Sequence, residues 1–190
     1  MAMGPFAVQD LAGIDIAMSS RQVFSSLDDA GGRKPQIIDK LFEAGRLGQK
    51  TKAGWYRYGH DGKALPDPVV EAMITAVPRN RRTVTSGEII ERTIYALINE
   101  GAKILAQGYA LRASDIDLVY LNGYGFPAER GGPMCFADSV GLRAVLQRIL
   151  EFRDTFGVDW EPAPLLRDLA EAGESFSSCD AKATLADAVR

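Results

Sequence analysis

His60 is the single histidine in a chain of 190 residues, and so the one side chain whose unperturbed pKa suits proton transfer near neutrality. It stands in Gly59-His60-Asp61-Gly62, a turn pattern with no apolar segment beside it, and an exposed loop histidine is the reading those neighbours favour. One histidine and two distant cysteines, Cys135 and Cys179, cannot assemble a zinc-type cluster or a disulfide framework. Neither cysteine has a histidine or a charge arrangement nearby that would lower its pKa, so both read as core or incidental thiols. Asp28-Asp29 falls in a loop, and Asp115 with Asp117 lies near a helix start. Capping and solvation explain both better than a general acid/base pair does.

Two patterns could meet a phosphate. Gly123-Tyr124-Gly125-Phe126-Pro127-Ala128 has the letters of a dinucleotide fingerprint, but Glu129 to Pro133 prolongs a loop where the fingerprint needs a helix to open. Lys50, Lys52, Arg57 and the basic run Arg79, Arg81, Arg82 could hold a nucleotide handle, although a solvated charged face is the more ordinary reading.

The elements that would position these residues are helical. Hydrophobic residues make up 46% and charged residues 25%, with formal charge −3, which excludes general disorder and gives no basic face for nucleic acid. No apolar run is long enough to span a bilayer, and the opening lacks a secretory pattern. These features predict a cytoplasmic, reducing location. A first helix is expected from Pro5 toward Ser19, burying Phe6, Leu11 and Ile14. A second runs from Pro35 to Ala44, burying Ile37, Ile38, Leu41 and Phe42, with Gly45 as a left-handed stop. Trp55 to Tyr58 predicts a short strand or hairpin flap. Asp67-Pro68 caps the next helix, Thr85 with Glu88 opens the longest one, and Ser114 caps a shorter one. A long helix is expected from Pro133 through Leu150, another from Pro164 to Gly173, and a docked or fraying tail beyond it.

Gly4, Pro5, Asp10 and Gly13 recur 128 positions later as Gly132, Pro133, Asp138 and Gly141. Leu41, Glu43, Ala44 and Gly45 recur in the same register as Leu169, Glu171, Ala172 and Gly173. The second copy has two helices ahead of its Gly-Pro start and the first has almost none, which predicts a truncated first copy with an apolar face to cover.

The order of these pieces resembles the carboxyl-terminal helical region of the 3-hydroxyacyl-CoA dehydrogenase family, in the duplicated form found in multifunctional fatty-acid oxidation proteins. The resemblance rests on Met3-Gly-Pro-Phe6 with Asp10 and Gly13, Gly45 to Thr51, and Gly54 to Tyr58. It continues in Glu88 to Arg92 with Asn99-Glu100, Gly125-Phe-Pro127, Gly131-Gly-Pro133, Asp138, Gly141 and Pro162 to Leu166. It implies an all-α bundle of the 6-phosphogluconate dehydrogenase C-terminal type with a small aromatic flap. Residues 1–77 would be an incomplete first copy, 78–85 a linker and 86–190 a second copy.

By that resemblance the complete enzyme oxidises a 3-hydroxyacyl-CoA to the 3-ketoacyl-CoA with NAD, and its catalytic histidine and glutamate belong to an upstream domain. The implication for this chain is that it binds no NAD or metal and carries no catalytic residue. Where the family's active-site asparagine would recur in the second copy, this sequence has Glu91, a departure that argues against chemistry there. Met3, Gly4, Pro5 and Phe6 match the segment that opens a helix near the family's substrate cleft, and are the expected substrate-side residues for an acyl-CoA. The partners implied are that acyl-CoA, when the missing domain is supplied, and a second subunit in a homodimer, with no nucleic acid and no membrane insertion. The alternative is a freestanding helical scaffold or oligomerisation module without catalysis.

Overall fold

Proline and glycine punctuation sets the helix boundaries, and a computed structural model describes residues 3–25, 36–77 and 82–180. Pro35, the Asp28-Asp29 pair, Arg79 and Arg81 lie outside the described residues. Among those described are nine α-helices, a further helical turn over 176–180 and one two-stranded antiparallel hairpin, so the all-α expectation holds. Contacts divide the chain into two compact units, Ala2–Arg82 and Thr83–Arg190.

In the first unit, α1 (Pro5–Ala12) starts with proline at its first turn, where the missing N–H costs nothing. It does not run on to Ser19. Gly13 turns the backbone at φ +106° and a separate α2 (Ile14–Ser25) follows. Then come α3 (Gln36–Glu43), the hairpin β1 (Arg57–Tyr58) with β2 (Ala64–Leu65), and α4 (Pro68–Ala76). Asp67 caps α4 by accepting the Val69 N–H at 2.9 Å. Ile14, Ile37, Ile38, Leu41, Val70 and Val77 form the core. Phe42, expected inside, is 41% exposed, and so are Phe6 and Leu11 in larger part. Their helical spacing is apolar on more than one face, and spacing alone does not say which face is covered.

The second unit holds α5 (Ser86–Ala106), α6 (Ala113–Gly123), α7 (Pro133–Val140), α8 (Leu142–Phe156) and α9 (Pro164–Ala172). Thr85 caps α5 through the Glu88 N–H at 3.1 Å. Ser114 does not cap α6. Arg112 is the capping residue, and Asp115 reaches back to the Arg112 N–H at 3.1 Å. The expected helix from Pro133 through Leu150 is broken at Gly141, φ +93°, as the first copy is broken at Gly13. Ile98, Met134, Val145, Ile149, Leu166 and Phe176 are buried at the centre, each worth roughly 1.5–3 kcal/mol of burial. Phe176 belongs to a helical turn over 176–180, so the tail is docked that far.

The repeat extends to individual hydrogen bonds. Val8 N–H to Gly4, Gly13 to Gln9, Ala17 to Gly13, Gly45 to Phe42 and Arg46 to Leu41 recur 128 positions on. Their counterparts are Phe136 to Gly132, Gly141 to Ala137, Val145 to Gly141, Gly173 to Ala170 and Glu174 to Leu169.

Candidate functional site

The four residues expected on the substrate side, Met3, Gly4, Pro5 and Phe6, stand together and exposed at the amino end of α1. Gly4 is extended and gives its carbonyl to the Val8 N–H at 3.0 Å, which starts the helix. The Phe6 ring stacks on the Trp55 indole with centroids 4.3 Å apart, and the Trp55 Nε1–H donates to Gln9 Oε1 at 2.7 Å. The stacked Phe6 and Trp55 rings thus make an apolar lip at the amino end of α1, where Met3 is also exposed.

Asp10 holds that lip in place. Only 1% exposed, it accepts the Trp55 N–H at 2.9 Å, the Tyr56 N–H at 3.0 Å and the Tyr58 hydroxyl at 2.8 Å. Gly54 passes so close that a Cβ there would run into the Asp10 carboxylate. Burial first, then the hydrogen bond and charge of Asp10, push the Tyr58 pKa well above its ordinary value. The residue-type pattern points to Trp55 and Asp10 only indirectly, since a lone charged residue on an otherwise uncharged helix is the available signal.

The other candidates are engaged elsewhere or exposed. Lys50 pairs with Asp15 at 2.5 Å, and its hydrogen bond holds the Asp15 carboxyl below the usual range. The Arg57 Nε–H donates to the Pro66 carbonyl at 3.2 Å. His60 is exposed in the hairpin turn, Cys135 is exposed and Cys179 half-buried. Residues 124–127 form a loop that leads into a short 3-10 turn, Ala128–Arg130, and α7 opens only at Pro133, so no helix N-terminus meets the Gly123 to Ala128 pattern. Asp115 is spent on its own helix, whereas Asp117 accepts the Met134 and Cys135 N–H groups at 2.7 and 3.1 Å and so caps α7 from α6. Burial raises the Asp117 pKa despite those two donors. Glu91 pairs with Arg148 at 2.8 Å, and Arg148 also bonds Glu151 and lies over the Phe152 ring. Among the described residues there is no group of three metal-type ligands, and no helix is long and apolar enough to cross a membrane.

Residues 1–58 and 87–178 match the family described as 3-hydroxyacyl-CoA dehydrogenase, C-terminal domain. The chain belongs to that family. Both units of this dehydrogenase-family chain contain matched segments, in agreement with the repeat. It is 39% identical over 192 residues to the peroxisomal bifunctional enzyme of Danio rerio and 38% identical over 190 residues to that of Homo sapiens. Each alignment covers 90% of this chain, but 27% and 26% of the relative, so the chain spans about a quarter of the length of these curated proteins.

Among solved structures it is similar to the dehydrogenase part of multifunctional enzyme 1 from C. elegans. The TM-score there is 0.67 at 24% identity, covering 87% of this chain and 38% of that one. It is also similar to 3-hydroxybutyryl-CoA dehydrogenase from Escherichia coli, with TM-score 0.62 at 18% identity, covering 90% and 52%. These two likenesses concern the fold. The relatives are named as peroxisomal or glyoxysomal, which overturns the cytoplasmic location expected from composition. Cysteine usage and hydropathy report on redox state and membrane insertion, whereas an organelle address is a short signal read by a receptor.

Proposed function

We propose that this chain is the substrate-side and subunit-contacting helical part of an NAD-dependent 3-hydroxyacyl-CoA dehydrogenase of peroxisomal β-oxidation. Residues 1–77 and 86–190 are its two copies of the helical domain, and 78–85 is the linker. Family membership across both copies carries the reading. The apolar lip of Phe6 and Trp55, with Met3 exposed at the same helix end, supports it as a surface for an acyl chain, and the α1 amino end favours the negative charge of a CoA thioester. The substrate is a 3-hydroxyacyl-CoA and the product its 3-ketoacyl-CoA. The residues at Gly123 to Ala128 do not fit NAD, because no helix opens on them.

The test is calorimetric titration of acetoacetyl-CoA into the purified chain, with NAD in a parallel run and the oligomeric state fixed by light scattering. Saturable thioester heat that is lost in Met3→Glu, without NAD heat, is the expected outcome. No thioester heat from a stable dimer would favour the scaffold reading, and saturable NAD heat would sink the assignment of the domain.

A further inference from the structure

Asp10 takes the Trp55 and Tyr56 N–H groups, and its counterpart Asp138 takes those of Phe176 and Ser177 at 2.8 and 3.0 Å. The chain between is longer in the first copy. Arg46 bonds Leu41 as Glu174 bonds Leu169, but nine residues separate Gly45 from Trp55 and two separate Gly173 from Phe176. Seven residues of the first copy, 47–53, therefore have no counterpart in the second. They lie over the break between α1 and α2. The Leu47 carbonyl accepts the Ile14 N–H at 3.3 Å, Lys50 pairs with Asp15, and a Cβ on Gly48 would strike the Asp10 backbone. At the matching break between α7 and α8 the second copy has a cavity of about 690 Å³. Its wall includes Gly141, Leu142 and Arg143, the counterparts of Gly13, Ile14 and Asp15.

Two differences define what fits there. The Ile14 N–H is taken by a backbone carbonyl, whereas its twin on Leu142 has no acceptor among the described residues. The charge is also inverted, with Arg143 standing where Asp15 meets a lysine. The Arg143 Nε and Nη2 groups donate to the Ala170 and Glu171 carbonyls at 2.9 and 3.4 Å, which fixes the guanidinium on the wall, and no carboxylate pairs with it among the described residues. Of the two acidic residues on that wall, Asp138 is spent on two N–H groups, and Glu174 stands where the first copy has Arg46. We propose that the cavity docks a peptide loop of a partner protein, which gives a backbone carbonyl to the Leu142 N–H and sets a glutamate or aspartate on Arg143. A second copy of this chain is a poor occupant, because its own 47–53 segment brings a lysine that is already engaged by Asp15. Such docking goes beyond the proposed acyl-CoA function and can fail independently of it, since it is read at the α8 amides rather than by thioester heat.

The first copy supplies the probe. An acetylated, amidated peptide with the sequence of residues 47–53 and Lys50→Glu is titrated into the full chain, and the Leu142 and Arg143 amides are followed by NMR, which reads even weak binding. All readings use the unaltered chain, since Arg143 also braces the end of α9. Saturable shifts at both amides are expected, with binding at least about tenfold weaker for the same peptide with its original lysine and intermediate for Lys50→Gln. No saturable shift at Leu142 with the glutamate peptide overturns the docking. Equal binding of the glutamate and lysine peptides overturns the pairing with Arg143. Sodium acetate that gives the same shifts at the same concentration would make the cavity a small-anion site and overturn the peptide occupant.

Discussion

Tyr58 donates its hydroxyl proton to Asp10 across 2.8 Å and 48 positions of sequence. Burial, and then this bond, favours the protonated phenol in the folded state, so its folded pKa lies above the unfolded value near ~10. The stabilisation is fully present below about pH 10 and is lost as the pH rises beyond it. Urea unfolding of the first unit measured from pH 8 upward should show stability falling above about pH 10, and Tyr58→Phe should flatten that slope.

At the acid end, Asp67 is the group to watch. Burial opposes its ionisation, but the Val69 N–H and the Arg46 guanidinium at 2.5 Å outweigh it, so the carboxyl is held below its usual range. Its contribution is present above about pH 4 and disappears as the pH falls through the lowered value. Arg46→Gln should weaken the acid dependence of unfolding, followed by circular dichroism.

Asp10→Asn should cost the first unit roughly 3 kcal/mol or more. The amide keeps one acceptor oxygen and turns two hydrogens toward a site built from three donors. Denaturant midpoints compared at equal slope would measure it.

Gly132→Ala should destabilise the second unit by at least about 2 kcal/mol, because φ is +104° and a Cβ would run into the Asp117 carboxylate. Gly123→Ala is the control. It lies in α6, where an added Cβ would meet nothing within 4 Å, and should be neutral or stabilising by up to about 1 kcal/mol in the same unfolding assay.

Glu91→Gln should cost under about 1 kcal/mol, since both partners of its ion pair with Arg148 are partly solvated. Thioester titration heat unchanged by this substitution would agree with a purely structural Glu91, and its loss would return that position to the binding site.

Local signals were legible in the residues themselves. Pro5, Pro133 and Pro164 open helices, Gly45 and Gly173 close them, and Asp67 and Thr85 cap them, because each effect acts within one turn. Gly13 and Gly141 were harder. Apolar spacing continues through both, and only the positive φ breaks the helix. The carboxylate roles were the least legible. Asp117, Asp10 and Asp138 bond groups 17, 45 and 38 residues away, and nothing within a turn of any of them names the partner. The lip residues Met3 to Phe6 were found as a segment, but their brace, Trp55, could be assigned only once the fold set its indole on Phe6.

Asp10 and Asp138 share a position in the repeat, and each reaches forward past the helix-stopping glycine of its own copy, to Trp55 beyond Gly45 and to Phe176 beyond Gly173. Most of the surrounding helical contacts are short in sequence and cheap in loop entropy, whereas each of these bonds closes a long loop. Such a latch shuts after the helices have gathered, so weakening it should speed unfolding far more than it slows refolding. The duplication would then give one polypeptide two clocks, each set by a single carboxylate.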